Sequence, residues 1–450
     1  MTAAPETTLD AAPRGALPRI ATLSERRRAV FGAAIGTTIE WYDFLLYASA
    51  AALVFNRVFF PKADPLTGAM LAFTTYALGF LARPLGAVVF GHFGDRTGRK
   101  KLLMASLMLM GGSTFAIGLL PTYAGAGMLA PILLTFMRLL QGIGVGGEWG
   151  GAMLMAAEYA EAPRRGFWCG VVQAGGAVGN LLATAILAGF AAGLSEHDFL
   201  AWGWRIPFLF SAALIVVGLW LRSAVAESPV FEAALEEAEG AHAAPIVQVL
   251  KTKGSRVALG ACLKLAENIS YYVVTAFAMT YLTEVLHLPR SVALNGVLAG
   301  GVAGAASMPL WAALSDRVGR RPVYIAGAVG LSLWVFAFFP LVRTGSPLVI
   351  AGATFLAVLI HSAMNGPQGA FIAELFPTRV RYSGASLCYQ LPAIVGGSFA
   401  PIIAIGLLKA TGSTVPISAY VATACAISFV AALLARETKG KTFSEIDAAG

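Results

Sequence analysis

Twelve apolar runs, each near the length of a bilayer-spanning helix, constrain this chain more than any other feature. They fall at residues 29–58, 66–90, 102–121, 128–157, 166–194, 204–221, 257–281, 292–314, 323–341, 348–372, 383–408 and 415–435. A helix rises about 1.5 Å per residue, so roughly 20 apolar residues cross a hydrocarbon layer about 30 Å thick. Inside lipid the main-chain N–H and C=O groups find no water, and a helix satisfies them within its own segment. A transmembrane barrel would show short stretches of alternating polarity instead. Charge content agrees: 12% of the 450 residues are Asp, Glu, Lys or Arg, and 57% are hydrophobic. Soluble domains carry about 25% charged residues, so this chain lacks the charge to cover a water-facing surface. Several runs exceed the length a bilayer requires, so tilt or extension into water is expected.

The basic residues test the span count. With the N-terminus placed inside, 23 of the 32 Lys and Arg fall on the inner side of the twelve spans, 6 on the outer side, and Arg83, Arg138 and Lys264 within spans. Such a bias is that of a multi-pass membrane protein with both termini cytoplasmic. It also accounts for the formal net charge of +8. The basic loops face anionic headgroups of the lipid bilayer, and no nucleic-acid partner is needed to explain them. Residues 1–24 hold no apolar core followed by a cleavage site, so residues 1–27 are expected to be a disordered cytoplasmic tail. The first helix then serves as its own insertion signal. The four cysteines lie in apolar runs without a CxxC pair and read as small packing residues.

An internal repeat divides the chain. Asp95-Arg96-Thr97-Gly98-Arg99-Lys100-Lys101 follows the second span and Asp316-Arg317-Val318-Gly319-Arg320-Arg321 follows the eighth. Ala157-Glu158 after the fourth span is matched by Ala373-Glu374 after the tenth, each leading to a pair of arginines. Offsets of 221 and 216 residues define two parallel six-helix halves. The expected fold class is therefore an all-α membrane protein of twelve transmembrane helices in two pseudo-symmetric halves, at 28–223 and 256–436. A cytoplasmic loop at 224–255 joins them and a short tail follows at 437–450. Such halves can rock about a midplane site and so give alternating access.

With these motifs laid out, the chain resembles the major facilitator superfamily, and within it the metabolite:proton symporters, the family of shikimate, α-ketoglutarate, citrate and proline/betaine permeases. The resemblance rests on Gly91-x3-Asp95-Arg96-x-Gly98-Arg99-Lys100-Lys101, Ile39-Glu-Trp-Tyr-Asp-Phe44, Gly79-Phe-Leu-Ala-Arg-Pro-Leu-Gly86, the run from Arg138 to Gly151, Gly203-Trp-Arg-Ile-Pro-Phe208, Glu227-Ser-Pro229 and Glu374-Leu-Phe-Pro-Thr-Arg-Val-Arg381. It spans nearly the whole chain. It implies an inner-membrane secondary transporter that imports a small polar metabolite with protons, working as a monomer and without cofactor or metal. One departure stands in the second loop, where Ala312 takes the place of Gly91 and Pro322 ends the basic run. Gly142-Ile-Gly144-Val-Gly-Gly147 also fits a dinucleotide fingerprint, but it lies inside a span rather than between a strand and a helix. Close helix packing is its expected role.

The chemistry is expected in charges that the membrane should have excluded. One charge at the bilayer centre costs about 2.5–3.5 kcal/mol even on a lenient scale, so Glu40, Asp43, Arg83, Arg138, Glu148, Lys264, Glu267 and His361 should face a cavity or a partner. Glu40 and Asp43 share a helix face, as a proton carrier or a structural pair would. The resemblance assigns proton coupling to this acidic pair, and Tyr42 between them is a candidate substrate contact. Arg138, Gln141 and Glu148 form one stripe. Arg138 can hold a substrate carboxylate, bias the protonation of an acid, or form an internal ion pair. Lys264 and Glu267 are also three apart. They either neutralise one another, or Glu267 lines the second half of the cavity with Asn268, Tyr271 and Tyr272. For Arg83 the alternatives are substrate-anion binding and helix-end anchoring; for His361, a packed side chain or a proton relay.

The loop motifs read as a gate. Asp95, with Arg96, Gly98 and Arg99, is expected at a helix end, bonding helix termini and arginines of the other half; Glu158, Asp316, Arg317, Glu374 and Arg379 repeat that pattern. A proton-coupled drug exporter would share the fold, and the basic cavity residues argue against it. A membrane receptor would add a signalling domain, and none is read here. An enzyme is not expected, because no nucleophile–base pair, metal cluster or phosphate loop is present. Arg83, Arg138 and Lys264 favour an organic acid anion, with a betaine- or proline-like zwitterion as the alternative.

Overall fold

The computed structural model describes residues 23–97, 99–146, 151–224 and 245–448. Among these there is no strand; the chain is a succession of helices. The first half holds α1 (Leu23–Ala50), α2 (Pro65–Thr97), α3 (Arg99–Leu119), α4 (Leu129–Gly146, resuming at Gly151–Tyr159), α5 (Arg165–Gly193) and α6 (Arg205–Ala224). The second holds α7 (Pro245–Tyr272, continuing through π-turns to Val285), α8 (Arg290–Val318), α9 (Arg320–Val342), α10 (Pro347–Ala373), α11 (Thr378–Pro392, continuing to Thr411) and α12 (Val415–Leu434). A short α13 (Phe443–Ala448) closes the chain. These bounds match the apolar runs to within a few residues at most ends; α7 differs most, because its helix starts at Pro245 and bends at Lys253 before entering the apolar run. Among the described residues ten helices are long and apolar enough to cross a membrane and Met104–Leu119 is a shorter one. The first helix falls below that hydropathy because it carries Glu40 and Asp43.

The repeat extends to the backbone. The first helix breaks into a π-turn at Ala51–Phe55 and α7 into one at Val273–Phe277, 222 residues later. Such turns open the helical ladder and recur at functional sites. A third, at Ala393–Ser398, bends α11 beside the cavity described below. Between α8 and α9 the chain reverses at one residue, Gly319, with φ +110°, a conformation that favours glycine.

The halves meet along α5–α8, α5–α10 and α2–α11. Within the first half, α2 and α4 lie almost backbone to backbone. A Cβ on Gly142 would sit 2.0 Å from the Gly79 carbonyl oxygen, and one on Gly86 2.0 Å from that of Ile143. The glycine run of α4 is thus a packing seam. Ala312 of the second loop is buried, and its tightness is matched from α5, where a Cβ on Gly170 would fall 2.4 Å from the Ala312 Cβ. The outer faces are apolar: Trp220, Leu310, Leu333 and Leu434 all lie exposed. Polar residues are inside and apolar ones outside, as a lipid solvent demands.

Candidate functional site

A small cavity of about 20 Å³, room for a water-sized group, lies between the halves. It is lined by Trp41 of α1, Phe80 and Arg83 of α2, Lys264, Asn268 and Tyr272 of α7, and Tyr389, Gln390 and Ala393 of α11. One cation therefore comes from each half. The Arg83 guanidinium stands 4.3 and 4.4 Å from the ring centres of Phe44 and Phe80, and Glu40 is within its electrostatic reach. Aromatic faces are attractive to a cation that has left water. The Arg83 Nε and the Gln390 Oε1 are buried without a hydrogen-bond partner. A buried polar atom left unmatched is costly, so these two are places where a ligand would be rewarded. Tyr76 of α2 donates a 3.0 Å hydrogen bond to Tyr272 of α7 and links the halves beside the void.

Behind the first-half wall lies an acid–base network. Asp43 accepts a 2.9 Å bond from Ser211 Oγ of α6. Gln141 of α4 donates to Thr114 Oγ1 at 2.8 Å and to the Asp43 carbonyl at 3.5 Å, and accepts from Arg138. The Arg138 guanidinium is 0% exposed, caged by Phe44, Tyr47 and Tyr76 at 4.1–4.4 Å, with Asp43 within electrostatic reach. Its position depends on Gly79, where a Cβ would stand 2.5 Å from the Arg138 Nε. Among the described residues no carboxylate pairs with it directly. Arg138 is therefore not on the cavity wall; Phe44 and Tyr76 stand between.

In the second half, Lys264 Nζ lies 2.6 Å from Glu267 Oε2 and donates to Gln368 Oε1 of α10 at 2.9 Å, while sitting 4.4 Å from the Tyr389 ring centre. Lys264 thus pairs with Glu267 and itself borders the void; of the residues grouped with Glu267 in the other alternative, Asn268 and Tyr272 border it, whereas Glu267 and Tyr271 are not among its lining residues.

Both ends of the pathway are closed by pairs between the halves. At the face carrying the repeated loop motifs, Glu374 binds Arg165 of the first half at 2.9 Å and Arg320 at 3.3 Å. Asp316 accepts from the Gly166 and Phe167 N–H groups at 2.9 and 2.8 Å, at the start of α5, where unsatisfied donors and the helix dipole favour an anion. Arg381 approaches Glu158 at 3.7 Å. The segment after α12 straps this face. Thr438 donates to Glu374 at 2.5 Å, and the Phe443 ring lies between Arg165 and Arg381 at 3.8 and 3.5 Å. Burial pushes the Glu437 carboxyl up, but the N–H groups of Arg320, Arg321, Lys439 and Thr438 outweigh it and hold it below the ordinary glutamate range. At the opposite face Arg57 pairs with Glu196 at 2.6 Å and with Glu284 at 3.7 Å, Arg290 with Glu196 at 3.2 Å, and Lys409 with Asp64 at 3.5 Å. Ion pairs thus join the halves at both faces.

The structure brings Arg83, Lys264, Asn268 and Tyr272 to one cavity, and Asp43, Gln141 and Arg138 to the network behind it. Tyr42 is elsewhere: its hydroxyl donates to the Pro207 carbonyl at 2.7 Å, turned into α6. Arg317 is exposed, and Arg320 makes the ion pairs its position suggested. Gly98, Glu148 and residues 1–22 and 225–244 lie outside the described residues, as do the side chains of Asp95, Arg96, Arg99 and Arg379. Sequence reasoning missed Trp41, Tyr389, Gln390, Arg165 and the pairs of the opposite face. For the last a signal existed, because three of the six outer cations (Arg57, Arg290 and Lys409) bridge the halves.

Two helical halves around a closed central cavity, gated at both ends, define a secondary membrane transporter and not an enzyme. Residues 30–387 and 268–448 match the Major Facilitator Superfamily. The chain belongs to that superfamily. It is 41% identical over 93% of its length to the shikimate transporter of Escherichia coli, covering 96% of that protein. It is 32% identical over 92% of its length to the proline/betaine transporter of Salmonella typhimurium, covering 84% of that one. The proton:xylose symporter XylE shares the fold, with a TM-score of 0.75 at 19% identity over 95% of this chain and 99% of that one.

Proposed function

We propose that this chain imports a small organic acid anion together with protons across the bacterial inner membrane, as a monomer with both termini in the cytoplasm. The observation that carries the reading is the pair of cations, Arg83 and Lys264, facing one central void from opposite halves. Two buried cations across a small space repel, and an anion between them relieves both that repulsion and part of their desolvation. An anion held from both halves also favours closure around it, which commits it to transport. Asp43 is the first candidate proton carrier: it is buried, faces the hydroxyls of Ser211 and Thr114, and is biased by Arg138 without a direct ion pair. Glu40 and Glu267 stand next to the two cavity cations and are the further candidates. Asp95, Arg96, Gly98, Arg99, Glu158, Asp316, Arg317, Glu374 and Arg379 belong to the cytoplasmic gate. Shikimate transport by one relative supports the anion reading.

A zwitterion such as proline or a betaine is the second reading, and the same two carboxylates favour it, since Glu40 and Glu267 offer a cationic group a place beside Arg83 and Lys264. Uptake by proteoliposomes under an imposed pH gradient, with a panel of mono- and dicarboxylates, hydroxy acids and zwitterions, separates the two. Accumulation of anions that collapses with the gradient is expected. Gradient-driven accumulation of zwitterions alone would overturn the anion reading, and uptake indifferent to the gradient would overturn proton coupling.

A further inference from the structure

His361 of α10 is fully buried, and neither the cavity nor the gates use it. Its surroundings fix its hydrogen bonding. Ser270 Oγ donates to the Glu267 carbonyl at 3.3 Å, which uses its only proton. The same oxygen lies 3.3 Å from His361 Nδ1, and while its proton is on the carbonyl it accepts from an Nδ1–H. In the neutral ring Nε2 then bears a lone pair. That atom has no hydrogen-bond partner and lies 3.7 Å from Glu267 Oε1. A lone pair facing a carboxylate is unfavourable, and the same lone pair facing a carboxylic acid accepts a hydrogen bond. The His361–Glu267 pair therefore has room for one proton, held as O–H···Nε2 or as imidazolium with carboxylate. Among the described residues the other titratable groups around Glu267 are Lys264, Tyr271 and Tyr272 on its own helix, Tyr324 from α9 and Tyr389 from α11. Only Lys264 supplies positive charge to the carboxylate among these.

We propose that His361 and Glu267 form a one-proton site coupled to substrate through Lys264. While Lys264 faces Glu267, the carboxylate has its counter-ion and the site is empty. When an anion in the cavity draws Lys264 toward itself, Glu267 loses that counter-ion and the pair takes up one proton from water. No other bond is made or broken. The inference rests on the reading of the cavity as an anion site, but the proton site itself is testable without a ligand.

Lys264→Gln imitates the loss of the counter-ion. Infrared difference spectra of the full-length purified protein should show one additional protonated carboxyl near pH 7 in Lys264→Gln. It should vanish in Lys264→Gln/Glu267→Gln. In Lys264→Gln/His361→Asn, which keeps a donor toward Ser270 but removes Nε2, the band should shift to the frequency of an acid without that acceptor or disappear. His361→Gln, with an amide where Nε2 stood, provides a second background should the Asn variant fold poorly. An unchanged carboxyl band in both His361 variants would overturn the pairing, and the absence of both an added carboxyl band and an added imidazolium band in Lys264→Gln would overturn the site. With shikimate as probe, wild-type affinity should fall about tenfold more per pH unit than that of Glu267→Gln, because one proton is bound with each anion. Infrared results as expected, with no shikimate binding at any pH, would leave the proton site standing and refute the anion reading.

Discussion

Glu374→Gln should open the face that carries the loop motifs. Glu374 is 2% exposed and is the only carboxylate within ion-pair distance of Arg165 among the described residues. Arg320 keeps Asp316 at 2.6 Å, so the loss falls on Arg165, itself 2% exposed and in contact with the first half of the molecule. Removing one partner of a buried ion pair costs about 3–5 kcal/mol, because the other charge stays desolvated. The amide of Gln still accepts a hydrogen bond, which places the cost near about 3 kcal/mol, and at 1.4 kcal/mol per decade the balance shifts roughly a hundredfold toward the state in which Arg165 reaches water. The pairs of the opposite face differ in kind. Arg57, 41% exposed, reaches Glu284 of the second half only at 3.7 Å, its closer partner Glu196 belonging to its own half, and Lys409 and Asp64 are 40% and 57% exposed. Exposed pairs are worth about 0–1 kcal/mol and are screened by salt. Arg57→Gln should therefore shift the balance less than about fivefold. Spin labels at positions 161 and 436 report the motif face by pulsed electron resonance. A new long-distance population is expected in Glu374→Gln and little change in Arg57→Gln. Equal responses, or none in Glu374→Gln, would refute the assignment of unequal gates from burial.

Asp43→Asn should abolish accumulation driven by a pH gradient while counterflow exchange survives, measured in proteoliposomes; retained accumulation would move the carrier to Glu40 or Glu267. Arg83→Gln should weaken anion binding at least thirtyfold, since truncating one partner of a desolvated charge contact costs about 2–5 kcal/mol, with far less effect on a neutral analogue. Arg138→Gln should instead alter the pH dependence of uptake, because its guanidinium lies behind Phe44 and Tyr76; binding assays on both ligand types check the split. Gly142→Ala must part α2 from α4, and overpacking of that kind costs about 1–3 kcal/mol, read as a lower Tm in detergent. The Glu437 carboxyl is held below its ordinary value of 4.5. The strap's hold through it is thus present above that value and lost as pH falls below it, and acid-dependent protease cleavage after α12 should follow, absent in Glu437→Gln.

The helices were legible because lipid imposes one rule on every segment: twenty apolar residues must be helical, and the ends must be polar. The repeat was legible for the same local reason, since Asp316 to Arg321 copies Asp95 to Lys100 nearly letter for letter. Partner choice was not. Arg164 and Arg165 stand side by side in sequence, yet Arg165 is buried against Glu374 and Arg164 is exposed. Nothing local distinguishes them; the rotation of α5 against α8, fixed by Gly166 and Gly170, does. Tyr42 failed for a related reason: the spacing of Glu40, Tyr42 and Asp43 gives angles on one helix, but which angle faces the void depends on α6 approaching from the other side.

Lys264 shows why the sequence alternatives were framed too narrowly. An i, i+3 spacing to Glu267 reads as neutralisation, with Glu267 lining the cavity as the alternative, yet it is Lys264 that borders the void. A lysine has four methylenes, so its ammonium can touch Glu267 and Gln368 while its stem and Nζ also border the void and the Tyr389 ring. A cation shared between an internal acid and a substrate is what coupling requires. If Lys264 bound only Glu267, substrate would have no handle on the acid; if it bound only substrate, protonation of Glu267 would cost nothing and signal nothing. With the two uses competing for one charge as proposed, anion binding and proton binding in this half would raise one another's affinity by the same factor, as linkage demands.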